Sequence, residues 1–124
     1  MREDLIVLAV DDDMINLKLL KSMLKKSGNV KEVIEAKNGA DAIGELKGRD
    51  DIDLILLDII MPIMGGIDML KVVRADDSLK QLPIIVLTTD ETKKAEALEC
   101  GANGFLMKPI RKEDLIKKIA TVIV

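Results

Sequence analysis

Polar and charged side chains end four of the apolar runs in this sequence. They are Asp11, Asp12 and Asp13 after the run Leu5–Val10, Asp58 after Ile52–Leu57, Thr88 and Thr89 after Pro83–Leu87, and Lys108 after Gly104–Met107. A carboxylate can attack a phosphoryl group to form an acyl phosphate, while a hydroxyl and an ammonium hold the phosphoryl oxygens. If these side chains meet in one pocket, they suit phosphoryl transfer.

The charge of this set favours a bound cation. Asp11, Asp12 and Asp58 brought together are three like charges, which raise their own pKa values unless they are neutralised. Lys108 offsets only one of them. Oxygen ligands without Cys or His favour Mg²⁺, Mn²⁺ or Ca²⁺, and a site with few carboxylates and room for water and phosphate suits Mg²⁺ best. We therefore predict a Mg²⁺ site. Asp13 precedes a predicted helix, and for this residue a role as helix cap is as good an explanation as a role in the pocket.

The apolar pattern predicts the sheet that would position these residues. Leu5–Val10, Ile52–Leu57 and Pro83–Leu87 are short and almost continuously apolar, which is typical of strands covered on both faces of a parallel sheet. Glu32–Ala36 and Gly104–Met107 are weaker and predict strands nearer the edges. Amphipathic stretches lie between these runs, so we predict an α/β fold, a doubly wound parallel sheet of five βα units. Ligands of such sheets bind beyond the carboxyl ends of the strands.

The predicted helices differ in how firmly they are anchored. The stretch Thr92–Cys100 carries only Ala95 and Leu98 as an apolar stripe, and we expect it to be the least anchored helix. Among the turn signals, Asn38 and Gly39 predict the opening of a loop, and Gly101 predicts a helix end. The other helices are marked by Leu17, Leu20 and Leu24, by Ala42, Ile43 and Leu46, by Ile67, Leu70 and Val73, and by Leu115, Ile116, Ile119, Val122 and Ile123.

Length and composition limit the classes of function. The 124 residues favour one domain, residues 1–124, and the hydrophobic fraction of 48% with 33% charged residues is that of an ordinary globular protein. The net charge of −3 shows no basic footprint for nucleic acid, and Phe105 alone offers no platform for stacking bases. The sequence contains no histidine, which excludes catalysis by histidine and histidine-ligated metals.

The chain also carries features of an intracellular protein. Its single cysteine, Cys100, rules out an internal disulfide and fits a reducing compartment. Only Met1–Asp4 precede the first apolar run, so we expect no signal peptide, and every apolar stretch is far shorter than the ~20 residues that span a bilayer. We predict a cytoplasmic protein that does not contact a membrane.

Five stretches of the sequence together resemble the receiver domain of bacterial two-component response regulators, close in layout to the chemotaxis-type single-domain regulators. They are VLAVDDD at 7–13, AKNGADAI at 36–43, DLILLDIIMPIMGG at 53–66, LPIIVLTTD at 82–90 and GANGFLMKPI at 101–110. They occur in the family's order and spacing. The resemblance implies a flavodoxin-like (CheY-like) fold whose five-stranded parallel sheet has the strand order 2-1-3-4-5.

The resemblance also implies roles for the acidic residues. Asp58 would be the phosphoacceptor. Asp12, Asp58 and the backbone carbonyl of Ile60 would bind Mg²⁺, and Asp11 would orient the ion through water. Ile60 and Asp90, two residues after Asp58 and Thr88, would border the path of the hydrolytic water and set the lifetime of the phosphoryl group.

Further roles follow for the last two strands. Thr88 and Lys108 would contact the phosphoryl oxygens, the Lys108–Pro109 bond would be cis, and Thr88 and Phe105 would form the conformational switch. Gly65 departs from the family, which usually has Asp there, and Ile110 replaces a common Phe. The switch aromatic is Phe105 rather than Tyr, so it has no hydroxyl to donate.

The implied function is signalling rather than metabolic catalysis. A sensor histidine kinase would be the phosphodonor, and the chain would catalyse only its own phosphorylation and dephosphorylation. A target protein, an effector domain or a second copy would bind the face formed by the fourth helix, the fifth strand and the fifth helix. No direct contact with nucleic acid is expected.

Three alternative functions fit the sequence less well. A haloacid-dehalogenase-type phosphohydrolase would use Asp11 as nucleophile and Asp13 as acid and base, but it leaves Asp58 without a role and lacks a later acidic motif and room for a cap. A dinucleotide-binding module lacks a G-x-G-x-x-G after the first strand. A scaffolding receiver without phosphorylation chemistry would not need the acidic set and Lys108.

Overall fold

The computed structural model describes residues 3–123 as strands that alternate with helices. The elements are β1 Leu5–Val10, α1 Met14–Lys26, β2 Val30–Ala36, α2 Gly39–Gly48, β3 Leu54–Asp58, α3 Gly66–Ala75, β4 Ile84–Thr88, a 3₁₀ turn Glu91–Lys93, α4 Lys94–Glu99, β5 Gly104–Met107 and α5 Lys112–Val122. The five strands form one parallel sheet in the order β2-β1-β3-β4-β5. The predicted (βα)₅ fold and strand order are therefore confirmed. Within residues 3–123, no helix has the length and apolar character needed to cross a membrane.

The core consists of two layers, one on each face of the sheet. Alternate residues of β1 face opposite sides: Leu8 packs in the layer with the residues of α2, α3 and α4, and Val7 packs in the layer with α1 and α5. Every residue of β1, β3 and β4 is buried. Each fully buried Leu or Ile contributes about 1.5–3 kcal/mol, so the three central strands form a rigid base for the residues at their ends.

The third and fourth strands begin and end later than the apolar runs predicted. β3 starts at Leu54 and includes Asp58, and β4 starts after Pro83 and includes Thr88. The sheet ladder continues to these polar residues, because Asp58 pairs with Leu87 of β4 and Thr88 pairs with Met107 of β5. Both side chains are therefore fixed by strand backbone rather than by a flexible loop.

The fourth helix differs from its predicted form. The structure buries Ala97 and leaves Ala95 and Leu98 exposed, so the predicted apolar stripe is wrong. The predicted stretch Thr92–Cys100 is not one continuous α-helix, because the 3₁₀ turn Glu91–Lys93 precedes α4, and the period of 3.6 residues does not apply across it. The expectation of weak anchoring still holds, since Ala97 is the buried residue of a six-residue helix.

Short polar side chains begin two of the helices. The Asp13 carboxylate accepts from the backbone N–H of Ile15 and caps α1, which confirms the capping interpretation of that residue. Asn38 accepts from the backbone N–H of Asp41 in the same way. Asn38 therefore opens α2, whereas the sequence predicted a loop there. At the C-terminal end of α4, Gly101 has a φ of +106°, the conformation that a glycine after a helix supplies.

One arginine ties α3 to the chain on either side of β4. The half-buried guanidinium of Arg74 donates hydrogen bonds to the carbonyl oxygens of Lys80, Leu82 and Gly101 and to the side-chain oxygen of Asn103. The same oxygen of Asn103 accepts from the backbone N–H of Ile84 at 2.8 Å. Arg74 thus fixes the start of β4 and the turn between α4 and β5.

Candidate functional site

The three predicted metal ligands lie together at the carboxyl ends of β1 and β3. One carboxylate oxygen from each of Asp11, Asp12 and Asp58 lies within 4.8 Å of the others. The pairing of Val10 with Leu57 brings these strand ends side by side. Asp11 and Asp58 are only 1% and 8% exposed, whereas Asp12 is exposed. The cluster is therefore closed on the protein side and open to solvent through Asp12.

Lys108 follows β5 and reaches across the sheet to this cluster. Its Nζ donates to Asp11 Oδ2 at 2.8 Å and lies 3.5 Å from Asp58 Oδ2. The backbone N–H of Lys108 donates to the carbonyl oxygen of Thr88, so β4 holds the residue in place. The Lys108–Pro109 bond is cis, as predicted.

Burial and charge shift the two central ionisable groups. Burial raises the pKa of the Asp58 carboxyl above its usual range; Lys108 opposes this effect and Asp11 adds to it. Burial alone would lower the pKa of the Lys108 ammonium. The hydrogen bond to Asp11 and the charge of Asp58 outweigh burial, and the pKa of Lys108 is raised. Lys108 is therefore charged at neutral pH. Its single positive charge does not balance the negative charge of three clustered carboxylates.

Backbone groups fix the orientation of the two buried carboxylates. The N–H of Ile59 donates to Asp58 Oδ1, and the N–H of Asp13 donates to Asp11 Oδ1, both at 2.9 Å. Gly66 lies against this region, and a Cβ there would overlap the carbonyl oxygen of Asp58. Gly66 was not singled out from the sequence. The second glycine of the Gly65–Gly66 pair is the feature that could have indicated a close backbone approach there.

Thr88 is the last residue of β4, which lies between β3 and β5 in the sheet. The strand is bordered by β3, which ends in Asp58, and by β5, which leads to Lys108. Thr88 is 1% exposed, and its Oγ1 accepts from the backbone N–H of Asp90 at 3.2 Å. Because the hydroxyl oxygen is the acceptor in this bond, its proton is available for donation to a ligand.

The Asp90 side chain is held by the turn that follows it. Its Oδ1 accepts from both the backbone N–H and the hydroxyl of Thr92. These hydrogen bonds lower the pKa of the Asp90 carboxyl, the hydroxyl bond contributing most. Thr92 was not singled out in the sequence, although an Asp followed two residues later by Thr is a turn signal.

Two further residues predicted from the sequence are Ile60 and Phe105. Ile60 is two residues beyond Asp58, and its side chain is 62% exposed. Phe105 is half-buried in β5 and packs against the core layer formed with α2, α3 and α4. Lys94, which the sequence did not single out, places its Nζ 6.0 Å from the centre of the Phe105 ring.

The donor set fits a hard divalent cation. The three clustered carboxylates supply oxygen atoms, and the single ammonium of Lys108 leaves negative charge uncompensated. One of the three carboxylates is exposed, so the site has an open side for water and for an anionic donor. These features suit Mg²⁺, which keeps several waters and is bound by few carboxylates.

Comparisons with known proteins define the family. Residues 7–120 match the sequence model described as the response regulator receiver domain. The chain is 37% identical over 120 residues to chemotaxis protein CheY1 of Helicobacter pylori, covering 94% of this chain and 95% of that protein. The chain therefore belongs to the response regulator receiver family, whose members are phosphorylation-activated signalling domains.

Solved structures agree with this assignment. Chemotaxis response regulator CheY4 of Vibrio cholerae superposes with a TM-score of 0.86 at 35% identity, over 95% of this chain and 98% of that one. The CheX–CheY–BeF₃–Mg²⁺ complex from Borrelia burgdorferi contains a similar chain, with a TM-score of 0.86 at 29% identity over 97% of this chain and 90% of that one.

The phosphohydrolase alternative is not supported. It required Asp13 as an acid and base, but the Asp13 carboxylate caps α1. It also required Asp58 to be idle, whereas Asp58 lies within the cluster beside Lys108. The family match spans both residues.

Proposed function

We propose that this chain accepts a phosphoryl group on Asp58 from the phosphohistidine of a sensor histidine kinase. The observation that carries the proposal is the position of Asp58, a buried carboxylate beside an ammonium and two further carboxylates. An oxygen of the Asp58 carboxylate attacks the phosphorus atom and forms a P–O bond, while the P–N bond of the phosphohistidine breaks. The imidazole leaves with its electron pair and takes up a proton. The only catalysis proposed is this self-phosphorylation and the later hydrolysis of the acyl phosphate, in which water attacks phosphorus and the Asp58 carboxylate and inorganic phosphate are released.

Asp12, Asp58 and the backbone carbonyl of Ile60 are the proposed direct ligands of Mg²⁺, and Asp11 is the proposed metal-site residue that orients the ion through water. When bound, the ion neutralises charge on the carboxylates and on the phosphoryl oxygens. A similar chain from Borrelia burgdorferi was determined with Mg²⁺ and BeF₃, which supports the proposal. Asp12 is the exposed member of the cluster, and we assign it the first contact with an entering ion.

Lys108 and Thr88 are the proposed ligands of the phosphoryl oxygens. The Lys108 ammonium already lies 3.5 Å from Asp58 Oδ2, so an attached phosphoryl group would meet it. The Thr88 hydroxyl has a proton to donate, as its oxygen is the acceptor from Asp90. Together they stabilise charge that develops on the transferred group.

Ile60 and Asp90 are the proposed determinants of phosphoryl lifetime. The exposed Ile60 side chain is apolar and cannot orient a water molecule for attack. Asp90 has one carboxylate oxygen engaged by Thr92, which fixes the position of the other. We therefore infer slow self-dephosphorylation.

The proposed output is a shift in partner affinity. Thr88 moves toward the phosphoryl group, and the Phe105 ring turns inward into the space that it leaves. The face formed by α4, β5 and α5 then binds a target protein, an effector domain or a second copy. The weak anchoring of α4 supports this placement. We further propose that residues 1–124 act as one receiver domain in the cytoplasm, without direct contact with nucleic acid or membrane.

Phosphorylation with acetyl phosphate and Mg²⁺ tests the proposal. Intact-mass spectrometry should show one hydroxylamine-sensitive phosphoryl adduct on the wild-type chain and none on Asp58→Asn. Asp77→Asn is the matched control, because Asp77 is an exposed acid on the loop before β4. An undiminished adduct on Asp58→Asn would overturn the assignment of the acceptor.

A further inference from the structure

The short segment Asp90–Lys94, which connects β4 to α4 and ends with the first residue of that helix, contacts both residues of the proposed switch. Its first residue bonds to Thr88 and its last lies over Phe105. We propose that this segment is a latch that holds Thr88 and Phe105 together in their unphosphorylated positions. The inference rests on the proposed function and extends it, because it assigns roles to Thr92 and Lys94.

The polar arm of the latch is a chain of three hydrogen bonds. Thr92 donates its N–H and its hydroxyl to the Asp90 carboxylate, which fixes Asp90. The N–H of Asp90 in turn donates to Thr88 Oγ1. The Thr88 hydroxyl is therefore held by a backbone group whose position depends on Thr92. Movement of Thr88 toward a phosphoryl group must break the bond to Asp90.

The aromatic arm is the contact between Lys94 and Phe105. The ammonium lies 6.0 Å from the ring centre, within the range of a cation–π interaction. The interaction favours the ring position seen here, in which Phe105 is half-buried. Inward rotation of the ring must break this contact.

The two arms meet in a segment that can move as a unit. The 3₁₀ turn Glu91–Lys93 has no buried residue, and α4 has Ala97 as its buried residue. The far end of α4 is fixed instead, since the N–H groups of Gly101 and Ala102 donate to carbonyl oxygens of α4 and Arg74 donates to Gly101. Release of either arm therefore frees the same segment, and the latch couples Thr88 to Phe105.

The latch predicts a gain of affinity when it is weakened. Contacts made only in the unphosphorylated state oppose binding of a phosphoryl mimic, so their removal shifts the equilibrium toward the active state. A variant that merely damaged the pocket would bind the mimic more weakly. The sign of the change separates the two explanations.

Fluoroberyllate with saturating Mg²⁺ is the probe, and its dissociation constant is the measurement. Thr92→Val should lower that constant about two- to tenfold, the range for one hydrogen bond. Lys94→Met should lower it about two- to fivefold, the range for an exposed cation–π contact. Thr92→Ser and Lys94→Arg keep the contacts and should bind as the wild type does.

Two matched controls remove trivial explanations. Thr121→Val makes the same change on α5, and Lys93→Met removes the neighbouring positive charge, which should leave affinity for the anionic mimic equal or weaker. Lys94 is exposed, so its variants should fold even if Thr92→Val does not. Unchanged or weaker binding by Lys94→Met would overturn the latch.

Coupling between the arms has its own readout. In the absence of the mimic, Thr92→Val should shift the Phe105 ring resonances toward their fluoroberyllate-bound positions, and Lys94→Met should shift the Asp90 amide likewise. Responses confined to the mutated arm would overturn the coupling. Failure of the wild-type chain to bind fluoroberyllate or to be phosphorylated would instead count against the proposed function itself.

Discussion

Lys108 is the residue that balances the charge of the pocket. It is paired with Asp11, which is almost completely buried, and it also lies near Asp58. Lys108→Ala leaves that buried carboxylate without its partner, and we expect a loss of about 3–5 kcal/mol in the free energy of unfolding without metal. Mg²⁺ affinity should hold or rise, because a positive charge beside the ligands has been removed.

Urea unfolding and a Mg²⁺ titration measure these two effects. Lys112→Ala, on the exposed start of α5, is the control and should change neither. A collapse of Mg²⁺ affinity in Lys108→Ala would contradict the proposed pocket, since Lys108 would then support the ion rather than oppose it.

Gly66 and Gly44 should respond in opposite ways to the same substitution. Gly66→Ala puts a methyl group into the carbonyl oxygen of Asp58, so we expect a loss of about 2–4 kcal/mol in stability and weaker fluoroberyllate binding. Gly44 is exposed on α2 with open space around it, and Gly44→Ala should raise stability by about 0.5–1 kcal/mol. Urea unfolding measures the stability of both variants. If Gly66→Ala were as stable as the wild type or more stable, the proposed close contact at Gly66 would be wrong.

Ile60→Asn should shorten the lifetime of the phosphoryl group. The substitution places an amide that can orient water where an exposed apolar side chain stands now. We expect loss of the phosphoryl group to be several-fold faster after removal of the donor, measured by mass spectrometry over time. Ile63→Asn is the control, because Ile63 is the same residue type in the same loop and is even more exposed. A rate no greater than that of the wild type would disprove the proposed role of Ile60.

At the scale of the elements, the sequence predicted the sheet better than its connections. Leu5–Val10 is almost continuously apolar because both of its faces are covered, and its predicted bounds are those of β1. The late ends of β3 and β4 were not predictable from hydropathy, because Asp58 and Thr88 belong to the strands through ladder pairing alone. The face of α4 was mispredicted because the stretch Thr92–Cys100 was treated as one helix, whereas it begins in the 3₁₀ turn and α4 starts only at Lys94.

The site was predicted in part for a related reason. The carboxyl ends of parallel strands lie at one edge of the sheet, so the topology was sufficient to place Asp11, Asp58 and Lys108 at the same edge. The contacts of Thr92 and Lys94 depend on side-chain conformations in the 3₁₀ turn and at the start of α4, which neither periodicity nor spacing reports. The role of Gly66 depends on a backbone approach that no apolar pattern reveals.

The hydrogen bonds of Arg74 should stabilise the packing of α3 against the segments before and after β4. Arg74→Met retains the aliphatic part of the side chain and removes hydrogen bonds to three carbonyl oxygens and one amide oxygen. The bonds to Leu82 and Gly101 are partly buried, whereas those to Lys80 and Asn103 are exposed. Because two partly buried carbonyl oxygens lose their donor, we expect a loss of about 2–4 kcal/mol in the free energy of unfolding. Urea unfolding measures the loss, with Arg111→Met as an exposed control. A change under about 0.5 kcal/mol would show that water replaces these bonds at no cost.

At the scale of the whole molecule, the pocket should make stability depend on Mg²⁺. Like charges meet in the folded chain and separate on unfolding, so an ion that binds only the folded state stabilises it by about 2.7 kcal/mol at a hundredfold excess over its dissociation constant. Asp12→Asn removes one exposed ligand, so the metal-free chain should be as stable as the wild type or more so. The rise in Tm with Mg²⁺ should be smaller than that of the wild type.

Thermal unfolding with and without Mg²⁺ checks this prediction. Asp114→Asn, on the exposed first turn of α5, should keep the full rise in Tm. An equal rise in Asp12→Asn and the wild type would remove Asp12 from the proposed ligand set.

The bonds of Arg74 also determine how α4 can move. They fix the turn after the helix, while the opposite end is held by the Thr88 hydrogen bond and the Phe105 contact. A body fixed at one end swings rather than slides, and a six-residue helix is a lever about 9 Å long. A swing of about 15° would move its free end by about 2 Å and its fixed end hardly at all. A partner that reads this motion must therefore touch the start of α4, where a small rotation is amplified into a displacement comparable to an atom's width.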